Sequence, residues 1–108
     1  MTLKEDIRAR FLAEKPRLIE ALRRYRPERV YLFGSFAHGD VNAHSDIDLC
    51  IIKRTKRRFL DRIEEVSRLL NSSFPLEVLV YTPEEMEAMR RMRVPLARVI
   101  LEEGERLL

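Results

Sequence analysis

The chain has 108 residues, of which 45% are hydrophobic and 36% are charged, and its net charge is +3. This length and balance favour one folded domain, residues 1–108, and exclude a disordered chain or a catalytic domain with a separate substrate-binding domain. A single cysteine excludes a disulfide framework. No apolar run has the length of a membrane span or a signal peptide, so we expect a cytoplasmic protein.

The N-terminal half of the chain predicts a long helix followed by two strands. Apolar residues recur at helical spacing from residue 3 to residue 25, which puts Leu3, Ile7 and Phe11 on one inner face. Pro16 lies within this pattern, so it must kink the helix or start a second one. Apolar runs rich in β-branched and aromatic residues predict strands at residues 29–33 and 46–52.

The C-terminal half predicts one more strand between helices. Residues 57–70 have the spacing of an amphipathic helix, and residues 76–81 form another apolar strand pattern. Thr82 and Glu85 have the spacing of a capping box, so a helix begins there, and a last helix ends at Gly104. The order of elements predicts a small α/β (α+β) domain with a three-stranded sheet.

Two carboxylates stand at the start of the second predicted strand. Residues two apart in a strand share a face, so Asp46 and Asp48 project together while Ile47, Leu49 and Ile51 face the core. A hard divalent cation such as Mg²⁺ would relieve the repulsion between the two carboxylates. The alternative is a surface turn in which Asp46 caps a loop and Asp48 is solvated. The apolar strand that follows immediately favours the metal site.

A Gly-Ser pair follows the first predicted strand. Gly34 would let the backbone approach a ligand closely, and the residues after it can form a helical turn. N–H groups at such a turn and the Ser35 hydroxyl suit a phosphate. A Gly-Ser pair after a strand usually marks only a turn, but the combination with two acids ten residues later is more specific.

The Gly-Ser pair followed by the Asp-Ile-Asp motif resembles the signature of the minimal nucleotidyltransferases of the DNA polymerase beta superfamily. The flanking stretches "VYLF", "SDIDL" and "LEVLVYTPEE" agree with the resemblance, which covers residues 29–107. It implies a small mixed sheet flanked by helices, two Mg²⁺ ions, and transfer of a nucleoside monophosphate from ATP or another NTP to a hydroxyl acceptor. It also implies that Gly34 and Ser35 grip the phosphates and that Asp46 and Asp48 hold both ions.

The family uses a third carboxylate on the neighbouring strand, and Glu77 is the candidate here. Glu77 lies in "LEVLVY", on the face opposite Leu76, Val78 and Val80. Relatives more often carry Asp at this position. The alternative is a solvent-exposed Glu on an edge strand.

Four other residues near the motif are expected to bind phosphate, support the loop or fill the core. His38 would touch a phosphate or be an exposed helix-turn residue, and relatives often place Arg here or at Phe36, which we expect in the core. Ser45 would hydrogen-bond within the loop and orient the first acid. Cys50 is expected to be a small buried hydrophobe.

The length of the chain and the resemblance together imply a macromolecular acceptor or a site completed by another subunit. Short relatives of the antitoxin type modify a tyrosine of an all-helical HEPN-type toxin, so a HEPN-domain partner and a homo- or hetero-oligomer are expected. The run Met86, Met89 and Met92 would pack in the core or against that partner.

Two other classes of function compete with catalysis. One is a binding module of the same fold that neutralises its partner by contact alone. The other is a nucleic-acid binder, suggested by basic runs at residues 53–58 and 90–93. Aromatic residues are few and no recognition element is evident, so we do not expect direct nucleic-acid binding.

Overall fold

Four strands form one mixed sheet in the computed structural model, which describes all residues from Met1 to Leu108. The strands are β1 (Arg29–Phe33), β2 (Ile47–Ile52), β3 (Leu76–Tyr81) and β4 (Glu105–Arg106). Their spatial order is β3-β2-β1-β4; β2 runs antiparallel to β1 and parallel to β3, and β4 is antiparallel to β1. The predicted mixed α/β fold is confirmed. The fourth strand was not expected, because two charged residues have no strand periodicity.

Helices cover both faces of this sheet. On one face lie α1 (Leu3–Tyr25) and α3 (Phe59–Leu70), and on the other lie α4 (Pro83–Arg91) and α5 (Pro95–Arg98), which continues into a π-helical turn (Val99–Glu103). A single turn of helix, α2 (Ser35–His38), follows β1. No helix is both long and apolar enough to cross a bilayer.

Alternation along β2 separates two hydrophobic clusters. Ile47, Leu49 and Ile51 are buried against α1 and α3, while Cys50 and Ile52 are buried under α4 and α5. Because helices cover both faces, every residue of β2 except Asp48 is buried, which places one carboxylate at the mouth of an apolar strand. The prediction that Cys50 is a buried hydrophobe is confirmed, and burial raises the pKa of its thiol to about 12.

The long first helix departs from the expectations in two places. It is one helix that continues through Pro16, so no second helix starts there. Pro16 cannot donate to the carbonyl of Leu12, and both residues are exposed, where water can take the missing donor's place. Leu3, expected on the inner face, is 63% exposed because burial begins one turn later, at Ile7.

Arg62 is the one charged side chain buried in the protein, at 7% exposure. Its guanidinium donates to the carbonyl oxygens of Arg57 and Val80 at 2.8 and 3.2 Å and to Glu85 Oε1 at 2.7 Å. Glu85 also closes the capping box with Thr82, as predicted from their spacing. The guanidinium therefore ties α3 to β3 and to the start of α4.

Arg62→Met should lower the free energy of unfolding by about 2 kcal/mol, because buried carbonyls lose their donor while the aliphatic volume is kept. Urea unfolding monitored by circular dichroism measures the change. Arg58→Met is the matched control, since Arg58 is exposed and meets Asp61 only at 3.4 Å. Its effect should stay within about 0.5 kcal/mol. Equal losses in the two variants would contradict the role given to Arg62.

Candidate active site

Gly34 joins β1 to α2 in a backbone conformation that only glycine adopts readily, with φ 72° and ψ −150°. Asp48 occupies the space that a side chain at this position would need. A Cβ added to Gly34 would lie 3.1 Å from Asp48 Cγ and would overlap its Oδ2 atom. The glycine is thus required both by the turn and by the carboxylate packed against it.

Asp48 and Glu77 lie opposite each other on the paired strands β2 and β3. The parallel register places both side chains on the α4–α5 face of the sheet, where Asp48 is half-buried and Glu77 is exposed on the edge strand. Burial, a hydrogen bond to Glu77, and the charges of Glu77 and Asp46 raise the pKa of Asp48 to about 6. This end of the sheet therefore carries more negative charge than the protein itself neutralises.

This raised pKa makes the metal-free protein less stable as the pH rises. The unfolded Asp48 has a pKa of about 3.9, so the folded state holds its proton more tightly between about pH 4 and pH 6. Stability should therefore fall across that interval and stay lower above it. Because Asp48 is partly solvated, we expect a loss of about 1 kcal/mol, well below the full conversion of the pKa difference.

Chelator-treated protein, unfolded in urea at about pH 4 and about pH 7.5, tests this expectation, with Asp48→Asn as the comparison. The variant should lack the extra loss of stability at the higher pH. An identical pH dependence of stability in both proteins would show that Asp48 does not cause the loss.

Asp46 precedes β2 and is exposed. No three of the protein's Asp, Glu, His and Cys side chains converge tightly enough to form a ready-made metal centre. Asp46 and Glu77 lie near Asp48 at the same end of the sheet, but the three carboxylates do not form one preformed coordination shell. Their donor set is all oxygen and carries excess negative charge at Asp48, which fits a hard divalent cation such as Mg²⁺.

Ser35 and His38 lie at opposite ends of α2. The Ser35 side chain is half-buried and makes no hydrogen bond within the protein, so its hydroxyl is available to a ligand. His38 is exposed, and its Nε2 lies 3.7 Å from Oε1 of Glu103 at the end of the π-helical turn. Phe36 between them is buried, as expected.

Ser45 is engaged in the loop that leads to Asp46. Its Oγ accepts the Asn42 N–H at 2.8 Å, and its own N–H donates to the Asn42 carbonyl at 3.1 Å. The predicted hydrogen bonding within the turn is therefore present. It fixes the backbone one residue before Asp46.

Sequence reasoning missed two partners of the predicted site residues. The contact between Gly34 and Asp48 is part of the pairing of β1 with β2, in which Phe33 lies opposite Asp48. The Glu103 partner of His38 comes from the far end of the chain, in a π-helical turn for which the sequence has no simple signal.

Comparison with known proteins supports one family. The family model of the nucleotidyltransferase domain matches residues 15–107. The crystal structure of a candidate nucleotidyltransferase from Sulfolobus solfataricus has a similar fold, with a TM-score of 0.67 and 23% identity over 98% of this chain and 86% of that one. No curated protein matches the chain. Since the family model matches most of the chain, including every predicted site residue, the protein belongs to the nucleotidyltransferase domain family.

Proposed function

We propose that the protein is a Mg²⁺-dependent nucleotidyltransferase that transfers AMP from ATP to a hydroxyl group, with a tyrosine of a HEPN-type toxin as the acceptor. The protein would act as the antitoxin of that partner. Family membership supports nucleotidyl transfer in general. The observation that carries the proposal is the position of Asp48, which packs against Gly34 and lies opposite Glu77. The carboxylates of Asp48 and Glu77 are thereby placed beside the glycine turn.

In this proposal Asp46 and Asp48 hold two Mg²⁺ ions, and Glu77 is a further ligand of one of them. When bound, the ions supply positive charge to the entering and leaving oxygens of the phosphoryl group. The backbone at Gly34 and the free hydroxyl of Ser35 bind the β- and γ-phosphates. Positioning and electrostatic stabilisation are the main sources of catalysis in such transfers.

The bonding change is a single substitution at the α-phosphorus. The acceptor oxygen forms a bond to this phosphorus, the bond to the β-phosphate oxygen breaks, and pyrophosphate leaves while the hydroxyl proton passes to solvent. His38, close to Glu103, would assist phosphate binding from the other end of α2. Ser45 would keep Asp46 in place through the fixed turn before it.

Radiolabelled ATP tests the proposal directly. The protein, incubated with Mg²⁺ and a purified HEPN-type partner, should label the partner's tyrosine when the label is on the α-phosphate and not when it is on the γ-phosphate. Neutralisation of the partner without any label would favour the contact-only function. Labelling that persists after chelation would contradict the role of Mg²⁺.

Glu77→Gln should keep ATP binding and lose most of the transfer rate, about 10²-fold, because Asp46 and Asp48 remain while one ligand loses its charge. Glu77→Asp, the residue common in relatives, should retain part of the rate. Single-turnover transfer at saturating Mg²⁺, beside a nucleotide-binding titration, measures both. Wild-type turnover in Glu77→Gln would remove Glu77 from the site.

A further inference from the structure

Positive charge without ion-pair partners gathers at the end of the sheet opposite the candidate active site. Arg23, Arg24 and Arg26 lie at the C-terminal end of α1, are exposed, and form no ion pair. Lys56, in the loop after β2, is also exposed and unpaired. The helix dipole by itself favours cations at the end of α1. It does not determine the shape of the surface around them.

Arg24 and Arg26 line a shallow depression of the surface. A cleft of about 550 Å³ lies between the end of α1, the end of β2 and α3. Its charged lining is Arg24, Arg26, Lys53, Arg68 and Glu65, and Leu69 provides its exposed apolar surface. We name this surface the basic cleft. Glu65 pairs with Arg57 and Arg68 pairs with Glu64, so Arg24, Arg26 and Lys53 are the cations of the cleft without an ion-pair partner.

We infer that the basic cleft docks an acidic protein segment that carries an apolar side chain. Guanidinium groups of Arg24 and Arg26 match carboxylates in charge and in planar geometry. Leu69 is 37% exposed and offers the apolar contact. The aromatic ring at the cleft, Tyr25, is only 5% exposed, so it gives no platform on which a nucleotide base could stack.

The basic cleft is separate from the candidate active site. Lys53 directly follows β2, whereas Asp48 is the second residue of that strand, so the two ends lie about 16 Å apart. Docking in the cleft therefore needs neither ATP nor the carboxylates. Peptide binding in the cleft can therefore be tested whether or not the protein transfers nucleotides.

Fluorescence anisotropy with two labelled probes tests the inference. One probe is a short peptide of glutamates with a single central leucine, and the other is an oligouridylate of equal charge. The wild type should bind the peptide at low salt and bind it more weakly as salt rises. Arg24→Gln/Arg26→Gly should weaken peptide binding at least about fivefold, since two exposed charge pairs are lost.

The chain offers a closely matched control. Arg8→Gln/Arg93→Gly also removes one charge from α1 and one from a residue with a left-handed backbone. The φ angle is 56° at Arg93, close to the 59° at Arg26. Both glycine substitutions fit their backbone, so neither double variant should unfold. The control should change peptide binding by less than about twofold.

Leu69→Ser separates the apolar contact from the charges. It should weaken binding of the leucine peptide but not of the same peptide with glycine in place of leucine. Equal weakening by the two double variants, absence of peptide binding at low salt, or tighter binding of the oligouridylate would each overturn the inference. An unchanged leucine preference in Leu69→Ser would overturn its apolar part.

Discussion

Asp48→Asn should reduce nucleotide transfer by at least about 10³-fold, because the amide removes a charge from the centre of the candidate site. Asp48 is the carboxylate in contact with both Gly34 and Glu77, so its loss affects the glycine turn and the acid pair together. The fold should remain, since an amide of similar size replaces a carboxylate whose neighbours Glu77 and Asp46 are also negatively charged. Single-turnover transfer from ATP, with circular dichroism as the check on folding, measures the effect.

Ser35→Ala is the comparison for this prediction. The Ser35 hydroxyl makes no hydrogen bond within the protein, and the backbone N–H groups of the turn remain, so ATP binding should weaken only a few-fold, at a loss of about 1 kcal/mol. Asp46→Asn should behave like Asp48→Asn. Retention of more than about a tenth of the rate in either Asp variant would contradict the metal-site assignment.

Gly34→Ala should have the second large effect, because it acts on the backbone and on Asp48 together. The added Cβ overlaps the Asp48 carboxylate, and the φ of 72° with ψ of −150° is strained for any other residue. We expect a loss of about 3 kcal/mol in the free energy of unfolding and at least about 10²-fold in transfer. Urea unfolding and single-turnover transfer at low temperature measure the two effects separately.

Gly39→Ala is a matched control in the same segment. Gly39 also has a positive φ, 78°, but an added Cβ would meet only the Arg8 side chain at 3.5 Å, an ordinary contact. The control should cost about 1 kcal/mol of stability and leave the transfer rate unchanged. If Gly39→Ala abolished transfer as fully as Gly34→Ala, the contact with Asp48 would not explain the effect.

The three apolar strands could be predicted because they depend on local patterns. The sharing of one metal site by Asp46, Asp48 and Glu77 stays a prediction, and Asp46 lies just before β2 rather than in it. Alternation places Asp48 and Cys50 on one face, and apolar runs mark β1, β2 and β3. The contact of Asp48 with Glu77 also required the relative register of two strands separated by α3. The family resemblance, not the periodicity, indicated that pairing.

The unpredicted features depend on contacts between distant parts of the chain. Arg62 has the spacing of a surface residue beside an apolar face, yet Val80 and Glu85 bury its guanidinium. The approach of Glu103 to His38 joins residues that are far apart in the sequence. The methionine run does not share one environment, because Met86 is buried in the core at 3% exposure while Met92 is 76% exposed. No local pattern distinguishes these outcomes.

The pairing of β4 with β1 has a consequence for self-association. Without it, the strand "RVYLF" would present its open hydrogen-bonding edge to other molecules, and such apolar edges template aggregation. Val30 exchanges backbone hydrogen bonds with Leu107 and Leu108, and Glu105 and Arg106 form the new outer edge. A long apolar edge is thus replaced by a two-residue charged one. Residues 105–108 therefore cover a strand edge that could otherwise pair with the same edge of another copy.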